Sequence, residues 1–275
     1  MKTKMSGYAL VTFLVALLCA GCSTWRINRM VKQLKKDQII VVEDGPNKLS
    51  PAMEQLVAAG AGAVDPLVRS LRTDDSDLRY NISVMVTLDA MGPEVPPKTF
   101  VKLLTHPGLG VPGCAADAVK ARPEADLTDL LLGVMTSTDS AQPGSKVPEP
   151  NETAFRHAID CLGLVGTPSA LGGLAGMIDH PDSQARERSM QAVREIVLRR
   201  EVGKIPLKII DRLIRNLSDS KPRVRCVASM VLTDITGEKL GTLSPVKSDS
   251  PLATDIETRQ RWESWWARNR GGHDR

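Results

Sequence analysis

The residues able to do chemistry are few and scattered. Four histidines and five cysteines are spread over 275 residues. His157 and Cys161 stand one helical turn apart with Asp160 beside them, a spacing that lets a base meet a thiol. No partner motif surrounds them, and the plain reading is a core cysteine. His106 and His180 each precede a proline in a turn between helices. They fall two structural units apart, roughly 20 Å at the usual 8–10 Å between packed helices, so no shared metal is expected. Aspartate and arginine recur in pairs: Asp75 with Arg79, Asp182 with Arg186, Asp219 with Arg225. Such pairs invite an acid/base reading, but an aspartate at a helix start favours the helix dipole. The guanidinium can then bridge to that aspartate or to turn carbonyls of an adjacent unit. We read the six residues as a structural ladder. A Gly-rich phosphate loop, a His-Glu-x-x-His run and a Cys-x-x-Cys pair are all missing from the chain. The expectation is no catalytic residue, no cofactor and no metal.

The elements that must carry these residues are helical. Apolar residues make up 42% of the chain, enough for a core. Only nine aromatics are present, which argues against an antiparallel β-sandwich. A net charge of +4 is too mild to imply nucleic-acid binding. Four segments align: Leu67–Leu71, Phe100–Leu104, Leu174–Ile178 and Leu213–Leu217. Each closes a short helix, meets a polar turn, and is followed by a second helix opening at Leu78-Arg79, Val111-Pro112, Ala185-Arg186 or Val224-Arg225. The first step is 33 residues and the last 39, with room between for one more unit. That unit reads as a helix over Asp126–Thr136, a loop over Ser137–Asn151 and a helix over Glu152–Val165. Gly92, Gly166 and Gly237 sit where helices end. Cys114, Cys161 and Cys226 fall in second helices of different units and read as buried small side chains.

An A helix, a turn bearing Asp and a B helix opening with Val-Arg resemble HEAT repeats. The resemblance covers about Leu49 to Gly241; the second unit departs from it, with Pro112 in place of the arginine. It implies an all-α, right-handed α-solenoid of about five HEAT-like helix pairs. The expected order is a repeat domain over 48–241, a linker over 242–256 and a capping helix over 257–270. The last of these carries Trp262, Trp265 and Trp266 on one face. Large aromatics can cover the apolar stripe that the final pair leaves bare. An exposed contact for a partner is the alternative.

The N-terminus reads as an address over residues 1–21. Lys2 and Lys4 precede an apolar run from Tyr8 to Ala20, about thirteen residues, too short for a membrane-spanning helix. Leu17-Leu18-Cys19-Ala20-Gly21-Cys22 resembles the bacterial lipobox, with Cys19 where that family carries Leu, Val or Ile. The resemblance implies cleavage before Cys22 and acylation of its thiol. Ser23 follows, which resembles outer-membrane delivery on the periplasmic side if the cell is Gram-negative. Residues 22–47 read as a basic, membrane-proximal tether. Within it Ile27, Met30, Val31 and Leu34 share one helical face, fit to lie on anionic lipid or to pack back on the body.

The expected function is a lipid-anchored cell-envelope scaffold binding an unidentified protein partner, with no nucleic acid and no metal. The alternatives are a HEAT-like enzyme or enzyme subunit of the lyase type, and a structural accessory of an envelope complex.

Overall fold

A computed structural model describes residues 24–34, 36, 49–73, 77–138, 149–199, 202, 204–245 and 253–270. Cys22 with its lipobox, Asp75 and most of the Ser137–Asn151 loop lie outside the described residues. The protein is all-α, with no strand among the described residues. Its helices are α1 (24–34), α2 (Pro51–Ala58), α3 (Val64–Ser70), α4 (Leu78–Ala90), α5 (Pro97–Leu103) and α6 (Val111–Lys120). They continue as α7 (Thr128–Ser137), α8 (Glu149–Val165), α9 (Leu171–Met177), α10 (Ser183–Arg199), α11 (Leu207–Asn216), α12 (Pro222–Thr236) and α13 (Ala253–Asn269). No helix among the described residues is long and apolar enough to cross a membrane. The chain forms two compact units, Met1–Thr99 with His106–Ala115, and Phe100–Thr105 with Ala116–Arg275.

In the first unit, α2 and α3 pack on α4. Ser50 opens α2 by accepting a hydrogen bond from the Met53 amide at 3.4 Å, and Pro51 takes the first helical position, where its missing N–H is not needed. Asn81 of α4 is fully buried and fully used. Its Oδ1 accepts from Arg72 N at 2.9 Å, and its Nδ2 donates to Arg72 O at 3.0 Å. The apolar stripe of α1 is buried too: Leu34 is 1% exposed, and Ile27 Cδ1 lies 3.7 Å from where a Cβ on Gly62 would stand. That face packs on protein and is closed to lipid.

In the second unit each short helix packs on the longer one that follows: α7 on α8, α9 on α10, α11 on α12. The longer helices also pack side by side, α8 on α10 and α10 on α12. The first of these contacts is tight because both surfaces are small there. A Cβ added at Gly163 would stand 3.0 Å from the Cα of Ala192. Arg199 at the end of α10 then reaches back, donating to Gly163 O at 2.6 Å and Gly166 O at 3.0 Å. These carbonyls lie at the end of α8 and have lost their helical partners. At the far end, α12 stops at Gly237, whose φ of 76° suits a residue without a Cβ.

The segment after Gly237 is held, not free. Leu243 is buried, and its amide donates to Ser229 Oγ at 2.8 Å. Helix α13 begins at Ala253, four residues earlier than the expected 257, so the linker is shorter at that end. Trp262, Trp265 and Trp266 are all buried. Trp262 Nε1 donates to Gly241 O at 3.0 Å, and Trp266 Nε1 donates to Asp211 Oδ1 of α11 at 2.7 Å. Trp262 and Trp265 meet edge to face with centroids 5.7 Å apart, a favoured arrangement. The fourth tryptophan, Trp25, is 65% exposed. Trp262→Ala should therefore cost about 3–5 kcal/mol. Trp25→Ala should stay within about 0.5 kcal/mol of wild type, both read by urea unfolding.

Candidate functional site

Of the expected ladder residues, Asp182 and Asp219 sit in turns that join a short helix to its longer partner, and Arg186 and Arg225 sit near the start of the longer helix. Asp182 opens α10: its Oδ1 accepts from Gln184 N at 3.2 Å and its Oδ2 from Ala185 N at 3.1 Å. Arg186, one turn on, donates through Nη1 to His180 O at 2.7 Å and Pro181 O at 2.9 Å. Its Nη2 donates to Asp219 Oδ1 at 3.0 Å, in the next turn along the chain. Its Nε stands 2.9 Å from Asp219 Oδ2, in ion-pair contact but not aligned for a hydrogen bond. Both side chains are nearly buried, 12% and 10% exposed. Asp219 Oδ1 also accepts from Lys221 N at 2.8 Å, and Arg225 Nη1 donates to Asp219 O at 2.8 Å.

The geometry follows one rule. Arg186 and Arg225 bond carbonyls of their own turns, and Asp219 takes the guanidinium of the preceding pair. Asp182 does the same with Arg156 of α8, at 3.7 Å. Arg79 is exposed, and Asp75 is not among the described residues. The sequence singled out neither Arg156 nor Arg199. Arg156 lacks the aspartate that flags the others, and Arg199 bonds only carbonyls, which every residue has.

The two His-Pro turns use their rings alike. His106 Nδ1 accepts from Gly108 N at 3.0 Å, and His180 Nδ1 accepts from Asp182 N at 3.1 Å. His180 is buried against Phe155, with ring centroids 5.3 Å apart. Burial lowers the pKa of His106. His157 is also lowered, by burial first, with Lys120 and Arg188 adding to the effect and Asp160 opposing it. Cys161 is buried, and its thiol is pushed up to about 12, mainly by burial. Its Sγ–H donates to Ala116 O at 3.7 Å.

A groove of about 520 Å³ runs along the second unit. Its walls are the long helices α8, α10 and α12, with Lys120 at the end of α6. The floor is apolar: Gly163, Leu164, Ala192, Val227, Met230 and Val231. Leu164 is 41% exposed and Met230 47%, so both present side chain to solvent. The charged side chains of the rim are paired, Lys120 with Asp117 at 3.1 Å outside the groove. Arg188 pairs with Asp160, and Arg194 pairs with Asp234 at 2.5 Å and Glu195 at 2.7 Å. The hydrogen bond to Asp234 raises the already high pKa of Arg194. The groove continues over Glu187 and Arg223, an ion pair at 2.7 Å. Among the described residues no cluster of His, Cys, Asp or Glu has the arrangement of a metal site. What the groove offers is an apolar strip between charged pairs, suited to an apolar side chain flanked by polar ones. No protein-family model matches the chain, and no curated protein does.

Two outcomes follow from this geometry. Arg186→Ala leaves the Asp219 carboxylate nearly buried and alone, at a cost of about 3–5 kcal/mol. In a double-mutant cycle with Asp219→Asn the losses should be strongly non-additive, read by urea unfolding. A thiol with a pKa of about 12 is about one part in ten thousand ionised at pH 8. Iodoacetamide should therefore leave Cys161 untouched in the native chain and label it on unfolding, as mass mapping would show.

Proposed function

We propose that the chain is a lipid-anchored scaffold of the cell envelope that holds a segment of a partner protein. Its helix pairs form a right-handed solenoid of the HEAT type, and the groove along α8, α10 and α12 is the holding surface. The single observation that carries this reading is the groove's lining: exposed Leu164 and Met230 on an apolar floor, between charged side chains already paired with one another. An enzyme of the lyase type would place ionisable groups to act on a substrate. Here Arg188 pairs with Asp160 across α10 and α8, and Arg194 with Asp234 across α10 and α12 and with its neighbour Glu195, which favours a binding surface. A flexible methionine suits such a floor, because its unbranched thioether adapts to the shape it meets. Small residues at Gly163 and Ala192 keep the floor low. The anchor belongs to Cys22, whose surroundings resemble a lipobox.

Photo-crosslinkers placed at Leu164 or Met230 in the native cell should capture one protein in stoichiometric yield. The same probe at exposed Ile256 of α13 should not. Met230→Glu should cut the Leu164 crosslink at least tenfold, about 1.4 kcal/mol, in line with a central apolar contact. Equal capture at all three positions, or none, would overturn the groove. A clickable fatty acid should label wild type and not Cys22→Ala.

A further inference from the structure

With its apolar stripe buried, α1 turns the opposite face outward. Trp25, Arg26, Arg29, Lys32 and Lys36 are all exposed on or just after this helix. The Arg29 guanidinium lies over the Trp25 ring, 5.6 Å from its centroid. None of these four cations forms an ion pair among the described residues. The contrast with the second unit is sharp, since Arg186, Arg188, Arg194, Arg212, Arg215 and Arg223 there each meet a carboxylate. Among the described residues those arginines are answered from within, and no carboxylate answers the cations of α1. Trp25 specifies which anion would. An indole 65% exposed beside cations fits the headgroup zone of a bilayer, where its apolar body and polar N–H are both accommodated.

We propose that this outward face of α1 rests on anionic phospholipid headgroups, as a second contact beside the acyl chain on Cys22. The proposal rests on the reading of Cys22 as the acylated residue. It assigns the basic stripe to lipid and the apolar stripe to protein, the reverse of an ordinary amphipathic membrane helix. Trp25 lies three positions after Cys22, at most about 10 Å of extended chain, so the anchor holds this face at the headgroups. Acyl chains and a basic patch together hold a protein where a single chain holds weakly.

The test uses the mature chain reconstituted into phosphatidylcholine vesicles with or without phosphatidylglycerol. Trp25 emission is isolated by subtracting Trp25→Phe, the other three indoles being buried. The expected result is a blue shift, and quenching by brominated lipid, only where phosphatidylglycerol is present. Molar salt should reverse both. The triple variant Arg26→Gln, Arg29→Gln, Lys32→Gln should lose both while unfolding in urea as wild type does. By the usual contribution of each cation, its affinity for the anionic surface should fall about 100-fold. A Trp25 signal indifferent to phosphatidylglycerol overturns the proposal. So does a larger Trp25 shift with duplex DNA than with anionic vesicles, which assigns the face to nucleic acid. Intact mass of the same sample reads acylation separately. An unacylated chain whose Trp25 still answers phosphatidylglycerol defeats the anchor and supports the headgroup contact. An acylated chain with a silent Trp25 defeats the contact alone.

Discussion

Much of the second unit depends on a guanidinium held between two turns. Arg186 spends its donors on two carbonyls behind it and a carboxylate ahead, tying the start of α10 to the start of α12. The pair gains little net free energy over an apolar substitute, since two charges must leave water to form it. Its value is positional. A planar fork fits two oxygens in one orientation, so the spacing and angle of successive turns are set together. Asp219 adds to this by accepting the Lys221 amide, which fixes the loop just before α12. The long helices that begin from these turns then lie side by side, and their exposed faces become one surface.

That surface owes its shape to small residues as much as to large ones. Gly163 and Ala192 let α8 and α10 approach until backbone meets backbone. A groove forms above them because nothing there rises to fill it. Leu164 and Met230 flank the low point and stay partly in water. Arg199, bonded to the two carbonyls near the end of α8, ties the same two helices together. A close approach, a floor and a brace thus come from residues within a few positions of one another on α8 and α10.

The helical class was legible because apolar spacing and few aromatics leave little room for strands. The turns were legible too, since Asp, Pro and Gly mark them. What local pattern cannot carry is the identity of a distant partner. Arg186 and Asp219 are 33 residues apart, while local spacing points each to a neighbour of its own turn. Arg199 and Arg212 bond carbonyls, among them Ala175 O, and a carbonyl leaves no trace in residue type. Helix α1 shows the same limit. Its stripe of Ile27, Met30, Val31 and Leu34 announces a buried face, while protein and lipid demand the same side chains of it. The groove was invisible for the opposite reason: Leu164 and Met230 look like core residues until their exposure is known.

The His-Pro turns carry a consequence for the rings themselves. In His106 and His180 the Nδ1 lone pair is occupied by an amide two residues on, so the neutral imidazole keeps its hydrogen on Nε2. One tautomer is selected in each ring. In His106 a second proton has no place at Nδ1 unless the amide lets go, and burial lowers the pKa of that ring in the same sense. A residue type best known for exchanging protons serves here as a fixed acceptor, chosen for the reach of one nitrogen.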